Sequence, residues 1–268
     1  NALFKDPRAA IASAALLALY PAHIAFSRSD VFFIQSLAFS SLSFATVYHA
    51  LRARAKWWMV ICYLVMLPLL ILTFTVRPLN AIFYPLFLAT IFFTVGPEVS
   101  YPRRWVAAGI ATIAMATNFV THLLPKYSVE MADGLGWKTV NTALNVATSL
   151  EMNTLINPSI TPVIFMVLAG LGAFWLFKDD RKDVALYLLG WLGAFFVAHG
   201  NVVPNTAMNQ VRYHLHLATP FLLLAAAATP LILRWRKPAA AMVAVVVLAS
   251  PIIHLQFEED RDFSVQQE

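Results

Sequence analysis

Apolar stretches of 16 to 21 residues follow one another along this chain, parted by short connections that hold the charges. They run over about 9–26, 31–51, 57–76, 79–95, 105–124, 161–177, 184–199, 215–233 and 239–254. A helix rises ~1.5 Å per residue, so about 20 apolar residues match the hydrocarbon core of a bilayer. The shorter stretches stand near the lower limit for spanning. None alternates apolar and polar residues with a period of two, so the reading is helices and not barrel strands. Composition agrees: 60% of residues are hydrophobic and 12% charged, against about 45–50% and about 25% in a soluble domain. So little polar surface excludes a cytosolic enzyme, a nucleic-acid module and a disordered tail. The expected fold is all-α, a polytopic transmembrane helical bundle of about nine spans.

The basic residues give that bundle an orientation. Lys5, Arg8, Arg52, Arg54, Lys56, Arg103, Arg104, Lys178, Arg181, Lys182, Arg234, Arg236 and Lys237 fall in one alternate set of connections. Arg28, Arg77, Lys126, Lys138, Arg212 and Arg261 fall in the other, so the split is 13 to 6. The richer side is expected to be cytoplasmic, which sets the N-terminus inside and the C-terminus outside. The net charge of +5 is therefore read as orientation signal. No nucleic acid is expected as a partner, because that needs one basic solvated face.

On this reading residues 1–254 form the transmembrane bundle and 255–268 an external tail with Glu258, Glu259, Asp260 and Asp262. The one long connection, about 125–160, is external. In it Trp137, Val140, Leu144 and Ala147 recur at helical spacing, while Lys138, Asn141, Asn145 and Thr148 point elsewhere. That is the pattern of an amphipathic helix in the outer interface, or of an ordinary surface helix. Gly170, Gly172, Gly190 and Gly193 read as close helix packing, since no phosphate-binding glycine motif occurs. The single cysteine, Cys62, lies inside an apolar stretch and carries no metal or disulfide pattern.

Polar equipment gathers towards the external ends. Arg28 and Asp30 sit in the tight turn after the first stretch, where Arg28 suits an anionic headgroup and Asp30 orients a partner. The plain alternative is a snorkelling arginine and a helix N-cap. Arg77, followed by Pro78 and Asn80, is a lone external guanidinium of the kind that contacts phosphate bidentately, or a simple stop signal. Arg212 and Tyr213 suit a phosphate and a sugar or isoprenoid. His214 and His216 are two residues apart, ~200° around a helix, and cannot share one ion there. Glu151, His199 and His214 remain as weak metal candidates, against the reading of interfacial histidines without metal.

The run Ala15-Leu-Leu-Ala-Leu-Tyr-Pro-Ala-His-Ile-Ala-Phe-Ser-Arg-Ser-Asp30 resembles the third and fourth spans of the GT-C membrane glycosyltransferases. The nearest branches are the protein O-mannosyltransferases and the lipid A aminoarabinose transferase. Ser27-Arg28 and Asp30 fit the pattern, while Tyr20-Pro21 stands where Ser-Pro is usual. Arg212-Tyr213, followed by Pro220 and a Leu/Ala-rich stretch, is similar to a later span of the family, and the long external connection falls in the matching place.

The resemblance implies transfer of a sugar from a polyprenyl-phosphate carrier to an acceptor at the external face of a bacterial cytoplasmic (inner) membrane. It assigns carrier-phosphate contacts to Arg28, Arg77 and Arg212, with Tyr213 close by, and makes Asp30 the local carboxylate. The residues name no certain cofactor, and the resemblance leaves a divalent metal, used by some members of the family, as an open alternative. The family's principal base belongs to a first external loop that has no counterpart here, so it is expected upstream of Asn1. The alternative is a non-catalytic GT-C-like subunit packed among other membrane subunits.

Overall fold

The computed structural model describes residues 6–21, 23–24, 31–76, 78–96, 98–124, 155, 158, 161–199, 207–235 and 237–259. Among them the secondary structure is helical, with no strand, as the apolar periodicity predicts. In chain order the α-helices are α1 Pro7–Leu19, α2 Val31–Arg52, α3 Lys56–Val76, α4 Phe83–Ala89 and α5 Tyr101–Asn118. They continue as α6 Val163–Lys178, α7 Lys182–His199, α8 Ala207–Ala227, α9 Thr229–Ile232 and α10 Lys237–Glu259. A 3-10 turn, Pro78–Ile82, leads into α4, and π-turns at Thr90–Thr94 and Phe119–Leu123 extend α4 and α5. Every one of the nine apolar stretches carries helix. Among the described residues one helix, α3, is long and apolar enough to cross a membrane, while Pro7–Leu19, Asn80–Thr94, Val163–Lys178, Leu217–Ile232 and Lys237–Ile252 are shorter apolar helices.

Local chemistry sets several helix ends. Asp6 caps α1 by accepting the Arg8 backbone N–H at 2.8 Å, and Pro7 occupies the first turn, where its missing N–H costs nothing. The α6–α7 turn closes as a Schellman motif, with the Arg181 N–H donating to the Leu176 carbonyl at 2.9 Å. Its left-handed position is held by Asp180 at φ 54° and not by glycine.

Contacts divide the chain into two units, residues 1–29, 149–192 and 204–268 in one, 30–148 and 193–203 in the other. In the first unit, α6 packs along α8, and α1 packs on α8, α9 and α10. The buried seam of α6 is Phe165, Leu168, Ala169, Gly172, Trp175 and Leu176, a three-four spacing. Gly172 is there because a Cβ would overlap the Leu224 carbonyl of α8. Gly170, Gly190 and Gly193 differ from the packing expectation: a Cβ at each would meet open space. Arg234 lies over the Trp175 ring, 4.6 Å from its centre, a cation–π contact.

In the second unit, α2 and α3 form a hairpin with a three-residue connection, and α3 also packs on α5. Phe44 stacks on Phe87 at 4.1 Å, with Phe74 and Phe83 edge-on around them; such pairs add ~0.5–1.5 kcal/mol each beyond burial. The inner face of α5 reads Arg104, Ala107, Ala108, Ala111, Ala114 and Asn118. Its alanines let backbones approach closely; its two polar members need separate accounts.

Candidate functional site

Of the side chains singled out by sequence, Arg28, Asp30, Arg77 and Glu151 lie outside the described residues, as does nearly all of the 125–160 connection. Arg212, Tyr213 and His214 stand in the second turn of α8, and His199 ends α7. Because α8 is helical through His214 and His216, these two lie ~200° apart around its axis. A His214–His216 chelate is therefore excluded by the backbone itself.

Described residues near some of those candidates in the sequence are anchored in the structure. At the end of α1, Tyr20 is buried, its ring 6.0 Å from Phe165. Its hydroxyl is 2.8 Å from Thr161 Oγ1. The tyrosine that stands in place of serine in the Tyr20-Pro21 pair thus ties the end of α1 to the start of α6. A buried phenol needs such a partner, and Thr161 lies where the long connection rejoins the helices.

After α3, Asn80 fastens the turn that follows Arg77. It is fully buried, and its Nδ2 donates to Ser36 Oγ at 2.7 Å and to the Thr73 carbonyl at 2.5 Å. Thr73 Oγ1 is 2.9 Å from Ser43 Oγ and also donates to the Leu69 carbonyl. This ladder joins α2, the end of α3 and the 3-10 turn. Asn80 is thereby a structural bracket through its nitrogen, while its Oδ1 is buried without a hydrogen-bond partner among the described residues.

Two further polar residues escaped the sequence reading. Arg104, assigned there to a cytoplasmic connection, is buried in the first turn of α5. Its guanidinium donates to the carbonyls of Phe92 at 2.8 Å, Val95 at 3.2 Å, Gly96 at 2.8 Å and Val99 at 3.2 Å. Those acceptors stand at the end of the α4–π segment and in the turn after it, where the Gly96 carbonyl also accepts the Val99 N–H at 3.2 Å, and one planar fork spans them. The signal that could have found it is a second arginine inside an otherwise apolar helical start. Asn118 lies at the junction of α5 with its π-turn, 1% exposed, with neither Oδ1 nor Nδ2 bonded among the described residues. Its period with the alanine face is the only sequence hint.

Among the described residues no group of three or more His, Cys, Asp or Glu side chains comes together. They offer no metal-binding set. What they provide is rigid support for two polar segments, at Tyr20–Pro21 and at Pro78–Asn80. In comparisons with known proteins, no family model, curated protein or solved structure matches this chain.

Proposed function

We propose that this chain is an integral-membrane helical bundle of about nine spans that serves as a GT-C-like glycosyltransferase core. The membrane half of the reading is carried by α3. It is the helix long and apolar enough to cross, and only 28% of its most apolar window is buried. The core helix of a water-soluble protein would be largely covered. Exposed Leu64 and Val65 on α3, Phe93, Ile113 on α5, Val163 on α6 and Val245 on α10 extend the same chemistry along the chain.

The transferase half rests on Ser27-Arg28 with Asp30, and on Arg212-Tyr213 in α8, which resemble the GT-C pattern. In this scheme the acceptor oxygen or nitrogen attacks the anomeric carbon, and its proton passes to a carboxylate, Asp30 being the local one. The bond from that carbon to the carrier phosphate breaks, and the electron pair leaves with the polyprenyl phosphate. Arg28, Arg77 and Arg212 stabilise the charge that grows on that phosphate, and Tyr213 contacts the sugar or the lipid stem. Tyr20, bonded to Thr161 within one unit, precedes Ser27-Arg28 in the sequence, and Asn80, bonded to Ser36 and Thr73 within the other, follows Arg77. A divalent metal, used by some GT-C enzymes, has no ligand set among the described residues, and no step is routed through one. The active face is external, opposite the basic connections, in a bacterial cytoplasmic membrane.

The test is transfer from a polyprenyl-phosphate sugar by the full chain reconstituted in vesicles. Arg28→Ala and Arg212→Ala are expected to abolish transfer while leaving the thermal midpoint unchanged. Wild-type rates in both variants overturn the catalytic assignment. No transfer by the wild-type chain favours the non-catalytic subunit instead.

A further inference from the structure

The connection between α2 and α3 lies among five cations: Arg52, Arg54, Lys56, Arg103 and Arg104. The structure separates those used inside the fold from those that are free. Arg52 Nη2 is 3.4 Å from Glu98, the one described carboxylate of this unit. Arg103 Nη1 donates to the Ala53 carbonyl at 2.9 Å, which brings its guanidinium onto this connection. Arg104 is spent on its four carbonyls. Arg54 and Lys56 remain, both exposed, and among the described residues neither has a hydrogen-bond or ion-pair partner.

Among the described residues of the unit, no side chain accounts for placing them there. Lys56 opens α3 and Arg54 precedes it by two residues, at the positive end of the helix dipole, where a cation is disfavoured. The first turn of α3 has no acidic residue to offset them. The side chains that come next are indoles: Trp57 is 66% exposed and Trp58 41%, their rings 5.7 Å apart. On α5, the helix of Arg103, Tyr101 and Trp105 are exposed as well. Beyond the indoles, Val60, Ile61, Leu64 and Val65 continue the exposed surface of α3. The order along α3 is thus free cation, amphipathic aromatic, aliphatic. A phospholipid presents the complementary order of phosphate, glycerol ester and acyl chain.

We propose that the Arg54–Trp58 connection is a binding site for an anionic phospholipid, with Arg54 and Lys56 on the headgroup phosphate, Trp57 and Trp58 at the glycerol level and Leu64 against an acyl chain. Two cations without internal counterions favour a net-negative headgroup over a choline headgroup, which brings its own cation to the same place. The proposal rests on the membrane reading above but not on the transferase assignment.

The experiment reconstitutes the full chain in phosphatidylcholine vesicles containing a trace of bromine-labelled phosphatidylglycerol or bromine-labelled phosphatidylcholine, and reads tryptophan quenching. Phosphatidylglycerol is expected to quench at the lower mole fraction. The preference should fall about tenfold in the Arg54→Gln/Lys56→Gln double variant, persist in Arg54→Lys/Lys56→Arg, and shrink for the wild type as salt is raised. Equal quenching by the two lipids overturns the site, as does a salt-independent preference or one unchanged in the double variant. Displacement of the labelled phosphatidylglycerol by short duplex DNA would reassign the cluster to nucleic acid and overturn it too. Failure of the wild-type chain to enter vesicles overturns the membrane reading with it, whereas entry without headgroup preference overturns this site alone.

Discussion

Gly172 of α6 lies directly against the backbone carbonyl of Leu224 on α8, with no room between them for a Cβ. Glycine at this one position sets how closely the two helices approach. Gly172→Ala must push apart two backbones and not merely a flexible side chain. A loss of about 1–3 kcal/mol is expected, read as a lower thermal midpoint. Gly170→Ala and Gly190→Ala meet open space on helices and should gain about 0.5–1 kcal/mol each from helix propensity. A Gly172→Ala variant as stable as wild type would contradict the close approach.

Arg104 should be the most sensitive cation in the second unit. Arg104→Met removes this donor from the Phe92, Val95 and Val99 carbonyls and leaves Gly96 with the Val99 N–H alone. Hydrogen bonds to a charged group contribute about 1.5–3 kcal/mol, so the loss is expected to exceed ~3 kcal/mol. Arg104→Lys should recover little, because an ammonium cannot fork across four acceptors. Limited proteolysis of the 92–100 turn is a second readout, with faster cleavage expected in both variants.

The two buried asparagines should respond with opposite signs. Among the described residues Asn118 has no partner for either end of its carboxamide, so Asn118→Leu should raise the thermal midpoint by the equivalent of about 1–2 kcal/mol. Asn80→Leu removes the donor to Ser36 and to the Thr73 carbonyl, and should lower it by a similar amount. Equal effects from both would show that burial alone, and not hydrogen bonding, decides these positions.

Tyr20 and Thr161 form a pair that a double-mutant cycle can isolate. Tyr20→Phe and Thr161→Val each remove one half of the 2.8 Å bond and each should cost about 1 kcal/mol. The double variant should cost clearly less than the two together. Additive losses would mean that the hydroxyls do not interact.

Asp180 occupies the left-handed position of the α6–α7 turn, where a side chain is normally unfavourable. Asp180→Gly keeps the Schellman bond from Arg181 to Leu176 and should stabilise the protein by about 0.5–1 kcal/mol. A destabilised variant would point to a role for the Asp180 carboxylate that the turn geometry does not show.

Much of the candidate site was legible only as positions along the chain. Tyr20-Pro21 and Arg77-Pro-Leu-Asn80 stand out because polar residues interrupt apolar runs there. Their anchoring roles were not legible, since Thr161 lies 141 residues from Tyr20 and Ser36 lies 44 from Asn80. Arg28, Asp30, Arg77 and Glu151 are outside the described residues, so their chemistry stands on the sequence. The His214–His216 pair could be judged from sequence alone, because two residues on one helix have a fixed angular separation.

Helicity and its placement were decided by the sequence: the length of an apolar run and its lack of two-residue alternation are local properties, and the backbone must bond to itself where side chains offer it nothing. The division of labour among like residues was decided by tertiary structure alone. Among the described residues Arg104 is enclosed by carbonyls while Arg54 is left free, and Gly172 meets a backbone while Gly170 meets none. Such differences follow from the rotation of each helix about its axis and from which partner it meets. Both are set by contacts between segments far apart in the chain, which no local pattern encodes.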